Sequence, residues 1–229
     1  MKHIALRTLG VVALAALPAV STAQMLEPGW YFELAVGKSK FKDVSAADID
    51  GVTRDFFSSN GLSVQTLTST LGFNERSYAL ISGYSFNPWL SAEAGFFRLG
   101  ALQYQSSGTV RGATTVLPAT FNFSYRAKGV LVGATASLPV GDYLTLRARA
   151  GMTNSDARVR ISATVATDAV QDEVSNSSQD FYYGVGVGMK VWDYYRVGID
   201  WMSHSKFGKA SGSGTTDIDN ILLSFTYTY

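Results

Sequence analysis

Cysteine is absent from this sequence, which excludes disulfides and thiolate metal sites. An excess of basic charge is missing too. Nineteen Lys and Arg stand against 18 Asp and Glu, a balance that provides no field for gathering nucleic acid. Nor does any apolar run reach the roughly 18 residues that a membrane-spanning helix needs. Yet 46% of the chain is hydrophobic and 13% aromatic, with 22 glycines. Apolar material in quantity, distributed in alternation rather than in blocks, is what a membrane-spanning β-barrel requires.

The last nine residues show that alternation most cleanly. Ile221, Leu223, Phe225, Tyr227 and Tyr229 fall on one parity, and Leu222, Ser224, Thr226 and Thr228 on the other. This is a strand with one apolar face and an aromatic rim, suited to a wall that meets lipid. Such a strand needs a partner for its edge, and pairing with the first strand would close a barrel. At the other end, Lys2, His3 and Arg7 precede an apolar stretch from Leu9 to Val20, and Ser21-Thr22-Ala23 supplies small residues for cleavage after Ala23. The pattern predicts an export signal at 1–23, with a permanent anchor as the alternative, and a barrel domain at 24–229. Removing the signal takes Lys2 and Arg7 with it, leaving 17 basic residues against 18 acidic.

Eight strand-like segments are expected, at roughly 29–40, 76–86, 89–99, 120–138, 142–157, 179–191, 194–204 and 220–229. Tight connections at Asn87-Pro88, Pro139 to Gly141 and Trp192-Asp193 alternate with long polar ones at 41–75, 100–119, 158–178 and 205–219. Short periplasmic turns and long external loops are the asymmetry of an eight-stranded antiparallel transmembrane barrel. Aromatics gather at the short-turn end: Trp30, Tyr31, Phe86, Trp89, Tyr143, Trp192, Tyr194, Tyr195, Tyr227 and Tyr229. Phe96, Tyr125, Phe181, Tyr183 and Trp201 are expected in the opposite girdle.

Parity also sorts the charges. Glu33, Glu93, Arg147, Arg149, Lys190, Arg196 and Asp200 all oppose the apolar face of their strands, which places them inside, away from lipid. From these, a paired network of Glu93, Arg149, Lys190, Arg196 and Asp200 is expected to fill the lumen, with Glu33 and Arg147 at its periplasmic edge. Arg98 breaks the rule and must lie near an interface. In the fourth strand Phe121, Phe123 and Tyr125 are odd whereas Val130, Val132, Ala134 and Ala136 are even, so a bulge is expected near Ala127 to Gly129.

The stretch Gly83-Tyr84-Ser85-Phe86-Asn87-Pro88-Trp89-Leu90-Ser91-Ala92-Glu93-Ala94-Gly95-Phe96-Phe97-Arg98-Leu99-Gly100 resembles the OmpA-type small outer-membrane barrel family. So do Leu144 to Gly151 and the approach Asp217-Ile218-Asp219 to the last strand. The resemblance implies residence in the outer membrane among its lipid and lipopolysaccharide. It also implies an inward Glu paired with inward bases, for which Glu93 and Arg149 fall at matching positions. Gly198 stands where the family has an Arg, Arg196 lies two residues earlier, and Gly188 replaces an acid. The pairing is therefore expected to be rewired. The barrel assembly machinery would read Phe225, Tyr227 and Tyr229 at the C-terminus. With the sequence ending at Tyr229, no peptidoglycan-binding domain is expected.

Few motifs point to chemistry. Gly184-Val185-Gly186-Val187-Gly188 looks like a nucleotide loop, but glycines at period two line a strand wall. His204, between Ser203 and Ser205 and four residues after Asp200, raises the alternative of a lipid A deacylase-like enzyme. The serines oppose His204 in parity, so a triad fails to assemble. Asp43, Asp48, Asp50, Asp55, Asp217 and Asp219 lack calcium-loop spacing. Val64, Leu67 and Leu71 have helical spacing, with Phe56 and Phe57 nearby, and promise a loop that packs on itself or the rim, with insertion into an unknown surface partner as the alternative. The expectation is a non-enzymatic barrel with no cofactor and no metal. Eight strands leave an interior that side chains fill, and a narrow solute channel is the remaining alternative.

Overall fold

The computed structural model describes residues 28–42, 44–74, 76–207 and 216–229. The expected export signal and Asp43 lie outside these residues. Among the described residues the order is β1 (Gly29–Phe41), α1 (Ala46–Ser59), β2 (Ser63–Asn74), β3 (Arg76–Asn87), β4 (Leu90–Arg98), β5 (Ala101–Arg111), β6 (Val116–Val140), β7 (Leu144–Val165), β8 (Asp168–Trp192), β9 (Tyr195–Phe207) and β10 (Thr216–Thr228). Eight of the strands close a ring in the sequence β1, β3, β4, β6, β7, β8, β9, β10 and back to β1, with every pair antiparallel. The fold is therefore the eight-stranded barrel that the alternation predicts. Closure runs from Tyr31 opposite Thr228 to Phe41 opposite Ile218.

The short turns follow local chemistry. Asn87 accepts from the backbone N–H groups of Trp89 and Leu90, both at 2.9 Å, which folds the chain over Pro88. Gly141 supplies the left-handed φ of +67° between β6 and β7.

Three expected loops are instead ordered structure. The 41–75 connection holds α1 and β2, the 100–119 connection holds β5, and 158–178 is the upper hairpin of β7 and β8 turning at Ala166-Thr167. Helix α1 starts at a reciprocal cap, in which Asp48 N–H donates to the Ser45 hydroxyl and Ser45 N–H donates back to the Asp48 carboxylate at 2.9 Å. That hydrogen bonding holds the exposed Asp48 carboxyl below the usual carboxylate range. Ile49, Thr53 and Phe57, four residues apart, form the helix's buried stripe. Val64, Leu67 and Leu71 are not helical. The β2–β5 register shifts between Val64 and Thr66, and this irregularity turns Val64 and Leu67 to one side despite their spacing of three.

Nor is there a bulge in the fourth barrel strand. The β6–β7 ladder runs unbroken through 22 pairs, from Val140 opposite Leu144 to Ala119 opposite Val165. Odd residues of β6 point inward throughout its paired length. What changes is the solvent. A tilted spanning strand needs about 9–11 residues, so half or more of this ladder stands outside the bilayer. Within the bilayer the outward residues are apolar: Val130, Val132, Ala134 and Ala136. Above it they are Lys128, Arg126, Ser124 and Asn122, and the apolar ones, Phe121, Phe123 and Tyr125, point in. Tyr125 accordingly leaves the expected outer girdle and packs edge-on against Phe41 at 5.9 Å. Phe96, Phe181, Tyr183 and Trp201 do face outward.

The upper strands continue the apolar core beyond the bilayer. Phe121 is 1% exposed, with its ring 5.4 Å from Phe56, 6.3 Å from Phe57 and 6.2 Å from Tyr104. Tyr104 donates to Asp50 at 2.5 Å. Burial and that acceptor push its phenol above the usual tyrosine range. The loop acids thus have structural partners: Asp48 caps α1, Asp50 holds Tyr104, and Asp219 pairs with Lys42 at 3.0 Å.

Candidate functional site

The barrel's interior is crossed by one layer of charge. Glu33 from β1, Glu93 from β4, Arg147 and Arg149 from β7 and Asp200 from β9 meet there, and four of the five are less than 5% exposed. Strand alternation alone forces them inward. Glu33 is the hub: it accepts from Arg147 at 2.7 Å, from Arg149 at 3.0 and 3.2 Å, and from Thr226 at 3.3 Å. Arg147 reaches on to Asp200 at 2.7 Å and to Ser224 at 2.9 Å, and Ser224 also donates to Asp200 at 2.8 Å. Glu93 stands farther from the bases, 3.9 Å from Arg149. Its carboxylate is held by Thr135 at 2.6 Å, Tyr182 at 2.8 Å and Tyr31 at 3.4 Å. Three acids face two guanidiniums, so hydroxyl donors must supply the remaining stabilisation, and they do so at Glu93.

Glycines make room for this layer. A Cβ at Gly198 would lie 2.6 Å from Nη2 of Arg147 and 2.8 Å from the Ser224 hydroxyl. At Gly133 a Cβ would collide with the Tyr182 hydroxyl. The position where the resemblance implies an inward Arg thus has no side chain, and Arg147, from two strands away, occupies the space.

The network differs in membership from the one the sequence predicts. Glu93, Arg149 and Asp200 belong to it. Glu33 and Arg147, expected at its edge, are its centre. Lys190 and Arg196 lie outside it: Lys190 pairs with Asp193 at 3.1 Å beside the β8–β9 turn, and both residues line a periplasmic mouth of about 390 Å³. The physical reason is strand tilt. In a barrel, equal distance from a turn does not mean equal height, and Arg147 is drawn level with Asp200 through Gly186, its opposite residue on β8. Next to the ion layer the free space shrinks to about 30 Å³, room for only a water or two.

Above the ions the lumen is sealed by rings and apolar side chains. The His204 ring lies 5.0 Å from that of Phe97 and 6.1 Å from that of Tyr182, with Ile81, Leu131 and Met202 buried at less than 3% exposure. Alternation turns Ser203 and Ser205 to the other face of β9 from His204. At the C-terminus, Phe225 stacks on Tyr195 at 5.5 Å, Tyr227 lies 5.2 Å from the same ring, and Tyr229 is 84% exposed with its N–H donated to the Trp30 carbonyl. Trp30, Phe86, Trp89, Tyr143, Trp192 and Tyr194 project outward at this end, as an interfacial girdle does. Tyr31 instead points in, to Glu93.

Against known families, residues 9–229 match the outer membrane protein beta-barrel domain. The chain belongs to that family. As a member of it, the protein is an outer-membrane barrel of Gram-negative bacteria, with the lumen and external cap described above. Among solved structures it is similar to Ail, the attachment invasion locus protein of Yersinia pestis, in complex with the heparin analogue sucrose octasulfate. That match has 12% identity over 89% of this chain and 100% of the other, with a TM-score of 0.47. Neisserial surface protein A is similar at 10% identity, covering 90% and 99%, with a TM-score of 0.45. The outer membrane protease OmpT from Escherichia coli is similar at 11% identity, covering 91% and 99%, with a TM-score of 0.30. No curated protein sequence matches the chain.

Proposed function

We propose that this outer-membrane barrel is a non-enzymatic, closed scaffold that acts through its external face. The observation that carries this reading is the division of labour along β6 and β7: below, the lumen is packed with a paired ion layer, and above, the same strands carry the apolar core on into a folded external sheet. A sealed interior makes no path for solute. A rigid exterior, whose conformational entropy is lost before any partner arrives, is suited to contact. Its outward residues are short and polar, among them Thr68, Thr70, Gln105, Ser107, Thr120 and Asn122. Envelope integrity and surface attachment are the roles such an architecture serves.

The test compares a deletion strain with one restored by the full chain. Entry of small hydrophilic solutes and the mass profile of the membrane lipid should be unchanged, while detergent resistance or attachment to surfaces should fall on deletion. Slower solute entry in the deletion strain would establish a channel, and an altered lipid profile would establish an enzyme. Either would overturn the proposal.

A further inference from the structure

The outer wall of the barrel carries a charge pattern that folding alone does not favour. Immediately above the lipid-facing band, Arg126 on β6 stands directly opposite Arg158 on β7. On the same side of the ring, Lys38 on β1 stands directly opposite Arg76 on β3. Like charges directly opposite on neighbouring strands are destabilising. Arg98 on β4 lies between the two pairs. It is held flat against the wall, its guanidinium 5.8 Å from the Tyr78 ring and donating to the Tyr78 hydroxyl at 3.1 Å. Beside it on β6 is Lys128.

These residues are contiguous around the ring. Strands β1, β3, β4, β6 and β7 are successive neighbours, and each contributes at least one outward base at the edge of the apolar band. Around β9 and β10 the pattern changes, and Ser203 is paired with Asp219. The belt is therefore an arc on one wall, more than an even ring of interfacial anchors. Acids stand within the arc as well. Asp156 stands opposite Lys128, and Glu173 takes Arg160 at 2.7 Å and Arg158 at 3.8 Å.

The wall around the arc is layered. Below Lys128 and Arg126 are the outward Val130, Val132 and Met152, exposed to lipid. Above them come Asn122 opposite Ser162 and Thr120 opposite Thr164. Apolar, then cationic, then hydroxyl and amide is the order in which a lipid with acyl chains, phosphates and sugars would present its parts to a barrel standing in the outer leaflet. Directly opposed residues on antiparallel strands are about 5 Å apart at the backbone, close enough for both guanidiniums of Arg126 and Arg158 to fork onto one phosphate.

We propose that the outward wall of β4, β6 and β7 is a docking face for the phosphorylated glycolipid of the outer leaflet, with Arg126 and Arg158 clamping a phosphate between Arg98 and Lys128 on one side and the Ser/Thr/Asn rows above. The inference rests on the outer-membrane placement and is independent of whether the lumen conducts. Bound phosphate offsets the like-charge opposition that the fold maintains.

The test uses the full barrel, purified in nanodiscs, with bound lipid read by native mass spectrometry. The probes are lipid A bearing both phosphates, the same lipid without phosphate, and phosphatidylglycerol. The parent should favour the phosphorylated lipid A over the dephosphorylated form at least tenfold, and over phosphatidylglycerol by a similar factor. The Arg126→Gln/Arg158→Gln variant should lose most of that preference, while Arg111→Gln, an exposed base on β5 beyond the arc, should keep it. Heat-dependent gel shift checks folding, and Arg158→Gln alone provides the same readout if the double variant folds poorly. Equal binding of phosphatidylglycerol would reduce the arc to a generic anionic contact, and an undiminished preference in the Gln variants would exclude the clamp. Either result overturns the proposal without touching the closed-scaffold reading, which solute entry decides.

Discussion

Replacing Glu33 with alanine is the perturbation that the lumen should tolerate least. Its carboxylate is 1% exposed and receives hydrogen bonds from both arginines and from Thr226. In its absence Arg147 keeps Asp200 at 2.7 Å, but Arg149 is left with carboxylates only at 3.7 and 3.9 Å, beyond hydrogen-bond reach. Removing one partner of a buried ion pair costs about 3–5 kcal/mol, because the remaining charge is uncompensated. Glu93→Ala should cost less, about 1–3 kcal/mol, since what it strands is mainly hydroxyls rather than a guanidinium. The Glu33→Gln variant should fall between, keeping an acceptor while losing the charge. Urea unfolding of the purified barrels in micelles, followed by gel mobility without heating, ranks the three. A Glu33→Ala barrel that unfolds at the parent's urea concentration, or later than Glu93→Ala, would refute the assignment of Glu33 as hub.

Phe121→Ala empties the ring cluster of the external cap and should cost about 3–5 kcal/mol of local stability; hydrogen exchange in α1 and β5 should accelerate while the membrane-embedded ladder remains protected. Ala166 turns the β7–β8 hairpin with φ of +52°, so Ala166→Gly should stabilise the hairpin by about 1 kcal/mol, seen as slower proteolytic nicking at the tip. Tyr229→Asp sets a charge at the lipid interface beside Trp30 and, on the proposal that the assembly machinery reads the terminal aromatic, should lower the amount of heat-shifting barrel in membranes.

Much of the barrel was legible because strand alternation is a local property. Leu144, Leu146, Ala148 and Ala150 against Arg147 and Arg149 reveal inside and outside with no knowledge of neighbours. The external sheet was harder to recognise because the meaning of alternation inverts at the membrane surface. Phe121, Phe123 and Tyr125 keep the inward parity of Leu131, yet in sequence they look like a slipped register, since below the surface the outward residues are apolar and above it they are polar. The ion layer was legible in kind but not in membership. Inward parity found all five of its residues, but height in a barrel depends on tilt and register between strands, which no single strand encodes. Gly198 was visible as a departure from related barrels, and its reason became clear only with Arg147 lying over it.

Single-channel recording of the parent in planar bilayers, beside Glu33→Ala, tests the closed lumen most directly. A closed lumen predicts a silent parent, and conductance steps in the variant as water enters the broken ion layer. Regular ohmic steps in the parent that Glu33→Ala leaves unchanged would contradict it.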